Sequence, residues 1–180
     1  MGRWLALSGT PGTGKSTVAA LLPAAWRPTE VADLALALGA ARRGAGGSVT
    51  VDLPRLVGCF PAARSPVQVV VGHLAHLLPL REAIVLRCHP LELERRLRRS
   101  RPGSALERYE NVVSEAIDLI SAEARGPGRT VREIDTTGRP PAEIARAVVE
   151  VGSTGTGRAA RSVDWLADPE VTDYLLRHRP

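Results

Sequence analysis

The fold of this chain is decided by residues 9–17, which read GTPGTGKST. They match the pattern G-x-x-x-x-G-K-[ST], whose backbone amides surround a bound phosphate. The apolar run RWLALS (3–8) precedes them and predicts a buried strand, and STVAALL (16–22) follows and predicts a helix. Because strand, loop and helix follow in direct succession, we predict a loop that holds the β- and γ-phosphates of a nucleoside triphosphate, with ATP expected.

Each key position of this loop has an expected role. Glycine is needed at Gly12 and Gly14 because side chains there would block the anion and some φ values must be positive. Lys15 is expected to reach the β/γ oxygens, Ser16 to place its hydroxyl on Mg²⁺, and Thr17 to contact the α-phosphate. The helix that begins near Lys15 is expected to add its dipole. ATP and Mg²⁺ are therefore the predicted cofactors.

Short apolar runs alternate with helical patterns along the rest of the chain. Further strands are predicted at 67–71, 83–87 and 130–135, and helices at 31–38, 91–99, 106–124 and 142–151. This alternation favours an α/β fold of the P-loop NTPase type, with a parallel sheet of about five strands flanked by helices. The domain is predicted to span residues 1–151. A linker and tail follow at 152–180, in which residues 163–176 are a candidate docking segment.

The charge of the chain leaves a nucleic-acid contact open. Net charge is +5 and the sequence pI is about 10.2, and a basic surface is the electrostatic footprint of phosphate-backbone binding. Lys15 is the only lysine among the 24 basic residues. Aromatic residues make up 3% of the chain and do not alternate with arginines, which disfavours a stacking platform for single strands.

The cysteines and the apolar runs bear on the cellular compartment. Cys59 and Cys88 lack the close spacing of a zinc or redox motif, so we expect both to be buried small residues. No apolar run approaches the ~18 residues of a membrane span, and the chain begins without a basic n-region or cleavage site. A cytoplasmic protein without membrane contact is expected.

Several further stretches carry a family likeness in their order and spacing. They are VADLA at 31–35, GHLAH at 72–76, VLR at 85–87 with Arg96-Leu97, Glu110-Asn111 with Glu115-Ala116, and EIDTTGR at 133–139. Together with the loop they resemble the adenylate kinase isoenzyme 6 (CINAP-type) family in its archaeal form, over about residues 3–150. The resemblance implies a nucleoside monophosphate kinase with an AMP-binding segment at about 31–55 and a mobile lid at about 100–110. It also implies ATPase activity and a role in maturing the small ribosomal subunit through one of its ribosomal proteins.

Two further site residues follow from this resemblance. His73 comes after a buried strand, where the carboxyl ends of parallel strands line a ligand crevice, and it matches the family's active-site histidine. The alternative for His73 is a structural histidine. Arg101 matches the lid arginine if one residue is inserted after Arg96-Leu97, and Ser100 takes that place otherwise. Arg101 and Arg87 are expected to neutralise charge that develops on the transferred phosphoryl group.

Neighbouring residues of the same types are expected to be structural. His76 lies three residues after His73, but no third ligand accompanies the two histidines and Mg²⁺ does not prefer imidazole, which disfavours a metal site there. Arg95, Arg98 and Arg99 precede the lid, and we expect them to form a solvated basic helix face.

The chain departs from the family pattern where an acidic residue is expected before His73. Val71-Gly72 occupies that place, so the carboxylate that supports Mg²⁺ is expected to be Asp33 or Asp52. For Asp33, an N-cap role on the second helix and a contact in the AMP segment are equally open.

Two other departures concern basic residues. Leu36 replaces an arginine of the family pattern, which leaves Arg42 or Arg43 to meet the phosphate of AMP. Glu107 stands where the family tends to carry lysine.

The preferred function is direct in-line transfer of the γ-phosphoryl group of Mg·ATP to AMP, which gives two ADP, with ATP hydrolysis when water takes the place of AMP. The main alternative is an assembly factor that ATP switches on a small-subunit ribosomal protein or pre-ribosomal RNA, with little kinase turnover. A kinase of another small metabolite is a third alternative, against which the adenylate-kinase-like stretches count.

Overall fold

A five-stranded parallel sheet forms the centre of the computed structural model, which describes residues 2–100, 104–154 and 163–178. In chain order the elements are β1 (Arg3–Gly9), α1 (Lys15–Ala19), β2 (Thr29–Glu30), α2 (Val31–Ala37), β3 (Ala41–Arg43), β4 (Val49–Val51), α3 (Leu53–Gly58), β5 (Val67–Val71), β6 (Glu82–Arg87), α4 (Pro90–Ser100), α5 (Ala105–Ala116), α6 (Leu119–Ala124), β7 (Thr130–Asp135), α7 (Pro141–Thr154) and α8 (Pro169–Arg177). The strand order is β2-β5-β1-β6-β7, with every pair parallel.

Both faces of the sheet are covered, because successive side chains of a strand point to opposite faces. Leu5 and Leu7 of β1 are buried in one hydrophobic cluster with residues of α1 and α7, including Val148. Ala6 lies in a second cluster with residues of α2 and α3, including Leu56. The predicted parallel sheet of about five strands between helices is confirmed.

The elements missed by sequence patterns are short. The fifth strand of the sheet is β2, which has two residues, and β3 and β4 form a separate antiparallel hairpin of three residues a side. The single helix predicted at 106–124 is wrong, because the chain breaks at Asp118, whose φ of +59° lies in the left-handed region. Two helices, α5 and α6, stand in its place.

The predicted start of a linker at residue 152 is also wrong. Helix α7 continues to Thr154, and Gly152 is buried against the side chain of Trp26. A Cβ atom at this position would lie 2.6 Å from Cη2 of Trp26, so Gly152 allows α7 to approach the indole. The remaining predicted linker, from residue 155 onward, lies outside the described residues up to residue 162.

The segment at 163–178 docks on the domain. Trp165 and Val171 are buried, and the ring of Trp165 meets that of His89 edge to face at a centroid distance of 4.9 Å. His89 Nε2 lies 3.1 Å from Oδ2 of Asp168, and the hydroxyl of Tyr109 in α5 donates to a backbone carbonyl in α8. The docking predicted for this segment is confirmed, and its contacts are with the helices that border the predicted lid.

The two cysteines differ in their exposure. Cys88 is buried as expected, but Cys59 is exposed at the end of α3, so the prediction that both are buried is wrong. Burial raises the pKa of the Cys88 thiol to about 11.

We expect one thiol of the native protein to react with a disulfide reagent such as DTNB at about pH 8, because the thiolate is the nucleophile. Two thiols should react in denaturant. Cys59→Ser should abolish the native reaction and Cys88→Ser should leave it unchanged. Equal reaction rates of the two thiols in the native protein would contradict this assignment.

None of the described helices is long and apolar enough to cross a lipid bilayer.

Candidate functional site

The loop at residues 9–17 borders a cavity of about 300 Å³ at the carboxyl end of β1. The cavity is lined by Pro11, Gly12, Gly14, Lys15, Ser16, Thr17, Glu30, Gly72 and His73. Every loop residue that the sequence singles out therefore lies on its wall, together with His73. Arg101 lies outside the described residues.

Backbone geometry explains the glycines of the loop. Gly12 and Gly14 have φ values of +94° and +95°, which favour glycine. At Gly12 a Cβ atom would also lie 2.8 Å from Leu93 and 2.9 Å from Leu97, so close packing of α4 on the loop requires glycine. At Gly14 a Cβ atom would meet no atom within 4 Å, and the positive φ alone is the constraint.

The helix after the loop is shorter than expected. Residues 16–22 predict a longer helix, but α1 ends at Ala19 and turns continue to Leu22. A helix of five residues has a small dipole, so the loop amides and Lys15 supply most of the positive potential in the cavity.

Lys15 is held at the base of the loop. Its Nζ donates to the carbonyl oxygens of Gly9, at 2.7 Å, and Thr10, at 2.9 Å. The ammonium group therefore lies beside the loop amides on the cavity wall, where an anion would meet both.

The base of the loop is anchored by a buried carboxylate on α5. Glu115 is 2% exposed at its side chain, and it accepts hydrogen bonds from the hydroxyl of Thr10, from Nε of Arg87 at 2.7 Å and from the backbone amide of Cys88 at 3.0 Å. Sequence analysis assigned no role to Glu115. Its position in the Glu115-Ala116 stretch of the family resemblance was the available signal.

Arg87 belongs to this buried network and does not line the cavity, so its predicted role in neutralising the phosphoryl group is wrong. Its guanidinium pairs with Glu115 and Asp118 and contacts Glu133 at 3.4 Å. Burial by itself would lower the pKa of Arg87, but these carboxylates raise it above its ordinary value. A charge so compensated serves the structure.

A carboxylate that the sequence did not indicate lies beside Ser16. The hydroxyl of Ser16 donates to Oε1 of Glu30 at 2.9 Å, and both residues line the cavity. Asp33 and Asp52 do not line it, so the expectation that one of them supports Mg²⁺ there is not met. Asp52 caps α3 by accepting from the amide of Arg55 at 3.1 Å.

Asp33 lies inside the first turn of α2, whose N-cap is Glu30, so the N-cap role considered for Asp33 is wrong. A hydroxyl with a carboxylate is an oxygen donor set that suits Mg²⁺. The pair Ser16 and Glu30 therefore fits the metal that accompanies a nucleoside triphosphate.

The two histidines after β5 have different environments. His73 is exposed on the cavity wall, next to Gly72. His76 is 3% exposed; its Nδ1 lies 2.9 Å from Oγ of Ser8 and its Nε2 lies 2.9 Å from Oε2 of Glu123. Burial lowers the pKa of His76, and Glu123 only partly opposes this. In the neutral ring Nε2 donates to Glu123 and Nδ1 accepts from Ser8, so His76 is structural as expected.

A second cavity, of about 440 Å³, continues from the first on the side of α4 and α7. The two share Gly12, Gly14 and Thr17. The second cavity is further lined by Thr13, Val18, Arg96, Arg99, Arg139, Pro141 and Ile144. Arg99 therefore has a place beside the site, whereas Arg95 and Arg98 form exposed ion pairs with glutamates of α4, as a solvated helix face requires.

Helix α5 begins inside the segment predicted to be a lid. Ser104 and Glu107 form a capping box, in which the Ser104 hydroxyl accepts from the amide of Glu107 and the Glu107 carboxylate accepts from the amide of Ser104, both at 3.0 Å. Residues 105–110 are therefore helical, and Glu107 has a local structural reason where the family tends to carry lysine.

The segment predicted to bind AMP contains α2, the β3–β4 hairpin and the start of α3. Arg42 and Arg43 lie on β3 and are exposed, opposite Thr50 and Val49 of β4. Exposed guanidinium groups on a hairpin are accessible to a phosphate.

The sheet order, the phosphate-binding loop and the flanking helices define the class of protein. This is an α/β P-loop protein with a fold of the nucleoside monophosphate kinase type, and the model of the family described as "AAA domain" matches residues 5–118.

Relatives with known names extend over nearly the whole chain. Three are called "Putative adenylate kinase". The one from Pyrococcus abyssi is 36% identical over 176 residues, which cover 96% of this chain and 94% of the relative. The one from Archaeoglobus fulgidus is 38% identical over 173 residues, covering 92% and 93%. The one from Thermococcus onnurineus is 34% identical over 176 residues, covering 96% and 97%. The chain belongs to this family of archaeal proteins.

A solved structure, that of the Deinococcus radiodurans tunicamycin resistance protein, superposes with a TM-score of 0.47 at 20% identity, over 83% of this chain and 95% of that chain. A likeness at this level does not bear on function.

Proposed function

We propose that the protein is an adenylate kinase of the isoenzyme 6 type, which transfers the γ-phosphoryl group of Mg·ATP to AMP and releases two ADP. The observation that carries the proposal is the cavity in which the loop amides, Lys15, Ser16 and His73 converge. The family relationship to proteins named as adenylate kinases supports the same nucleotide chemistry.

The donor nucleotide is proposed to extend across both cavities. Its β- and γ-phosphates bind the loop amides and Lys15, and the α-phosphate lies near Thr17, which both cavities share. The nucleoside then falls in the second cavity, where Arg99 and Arg139 face the apolar side chain of Ile144. Guanidinium planes and an aliphatic side chain suit the flat faces of a base.

The acceptor is proposed to approach from the hairpin side. Arg42 or Arg43 meets the phosphate of AMP, and His73 at the cavity wall orients the attacking oxygen. Arg101, in the lid, covers the transferred group from the opposite side.

The reaction is proposed to proceed in line and without a covalent enzyme intermediate. An oxygen of the AMP phosphate forms a bond to Pγ while the bond from Pγ to the β–γ bridging oxygen breaks, and that electron pair leaves with ADP. Lys15 and the loop amides stabilise the charge on the leaving phosphate. Bound Mg²⁺ supplies charge neutralisation between the β- and γ-oxygens. Water in the place of AMP gives ATP hydrolysis at the same site.

A second candidate function is favoured by the net charge of +5. In this alternative the protein is an ATP-switched assembly factor of the small ribosomal subunit, which binds a ribosomal protein or pre-ribosomal RNA through its basic surface with little kinase turnover. Both functions fit a cytoplasmic location, which stays a prediction.

The test compares ADP formation from Mg·ATP alone with formation from Mg·ATP plus AMP. We expect AMP to accelerate ADP formation severalfold or more, and GMP, CMP and UMP to do so less. If AMP gives no ADP beyond the ATP-alone rate, while a small-subunit ribosomal protein accelerates hydrolysis, the kinase is rejected in favour of the assembly factor.

A further inference from the structure

Glu30 places a carboxylate on the wall of the phosphate cavity. It is the last residue of β2, and its Oε1 accepts the hydroxyl proton of Ser16 at 2.9 Å. Among the described residues that line this cavity it is the only acidic one. A negative side chain in a cavity for a triphosphate is unfavourable unless a cation lies between them.

The position of Glu30 in the sheet explains how the site can lack an acidic residue on β5. Glu30 is the direct neighbour of Val71 in the parallel pair β2–β5. Both residues, with Ser16, also line an adjoining cavity of about 380 Å³. The carboxylate expected at the end of one strand thus stands at the same level on the next strand.

We propose that Glu30, together with Ser16, holds the divalent cation of the bound nucleotide in this chain. The inference rests on the proposed function only in taking Mg·ATP as the ligand. Carboxylate and hydroxyl oxygens suit Mg²⁺, which is bound through one or two carboxylates with substrate phosphates and waters. Glu30 also sets a preference, because its charge attracts the metal complex and repels the metal-free nucleotide.

A second role must be separated from this one. Glu30 is also the N-cap residue of α2, although its side chain makes no capping hydrogen bond. A structural role of this kind would alter the melting temperature, but it would not alter the binding of ATP with and without metal in opposite directions.

The experiment measures ATP binding by calorimetry in the presence of Mg²⁺ and in the presence of EDTA. For Glu30→Gln we expect Mg·ATP binding to weaken about 10-fold or more, since loss of a metal-positioning group typically lowers metal affinity 10–100-fold. Metal-free ATP should bind as well as to wild type or better. Asp33→Asn is the matched control, because Asp33 is exposed three residues later and does not line the cavity. It should change neither affinity.

A second readout uses Mn²⁺ as the probe. Its electron paramagnetic resonance signal reports the affinity of the metal for the protein–ATP complex without turnover, and Glu30→Gln should lower that affinity. In the Glu30→Gln background, Val71→Asp should recover part of it, because residue 71 is the neighbour of residue 30 in the sheet.

The single variant decides the proposal. Unchanged Mg·ATP, metal-free ATP and Mn²⁺ affinities in Glu30→Gln would overturn the assignment of Glu30, while AMP-dependent ADP formation by the wild type would still support the proposed function. Opposite shifts in the two ATP affinities, with no AMP-dependent ADP formation by the wild type, would support Glu30 and reject the kinase.

Discussion

Lys15→Met is expected to lower kcat of ADP formation by about 10²- to 10³-fold, which is the usual loss when one electrostatic stabiliser of a transition state is removed. Methionine has a similar length but carries no charge and donates no hydrogen bond. The ammonium group lies at the base of the loop, 2.7 Å and 2.9 Å from the carbonyl oxygens of Gly9 and Thr10, where the leaving phosphate gains negative charge. Both AMP-dependent and AMP-independent ADP formation should fall, measured in a coupled assay with saturating Mg·ATP.

The matched control for this variant is Arg146→Met. It makes the same change in net charge on the exposed side of α7, at a residue that lines neither cavity of the site. It should retain kcat within about twofold. A Lys15→Met protein that keeps more than a tenth of the wild-type kcat would show that the loop lysine does not carry the reaction.

Glu115→Ala is expected to destabilise the protein by about 3–5 kcal/mol, because it leaves a buried arginine without its principal partner. Arg87 would lose the acceptor of its Nε, and the amide of Cys88 and the hydroxyl of Thr10 would lose theirs. For a chain of this size the melting temperature changes roughly 2–4 °C per kcal/mol, so thermal denaturation should show a decrease of about 6 °C or more.

Asp173→Ala serves as the control for Glu115→Ala. Asp173 forms an ion pair with Arg177 at 2.7 Å, but both side chains are more than half exposed, and such a pair contributes about 0.5 kcal/mol or less. Its melting temperature should stay within about 2 °C of the wild type. If Glu115→Ala melts equally close to the wild type, the network does not stabilise the fold.

The loop and its cofactor class could be predicted from the sequence because the determinants are local. Strand, glycines, lysine and helix are consecutive, and positive φ at Gly12 and Gly14 follows from the chemistry of glycine. The buried strands β1, β5, β6 and β7 were predicted for a similar reason, since each has an apolar run long enough to show a pattern. The two-residue β2 has no such pattern.

The roles of charged residues were predicted less well, because they depend on partners that are distant in the sequence. Arg87 resembled a catalytic arginine until Glu115, 28 residues later, was found to pair with it inside the protein. Glu107 was read as a departure from the family, but three residues of local backbone explain it as half of a capping box.

Residues 9–17 and their apolar flanks were thus sufficient to establish that this chain forms a phosphate-binding loop on a parallel sheet. The carboxylate beside that loop could not be found in the same way. Glu30 reaches Ser16 only because β2 lies next to β5 in the sheet, and strand order is set by packing between distant segments. Hydrogen bonding and φ preferences act over a few residues and can be read locally, whereas the neighbours of a charge are fixed by how the whole chain buries its apolar surface.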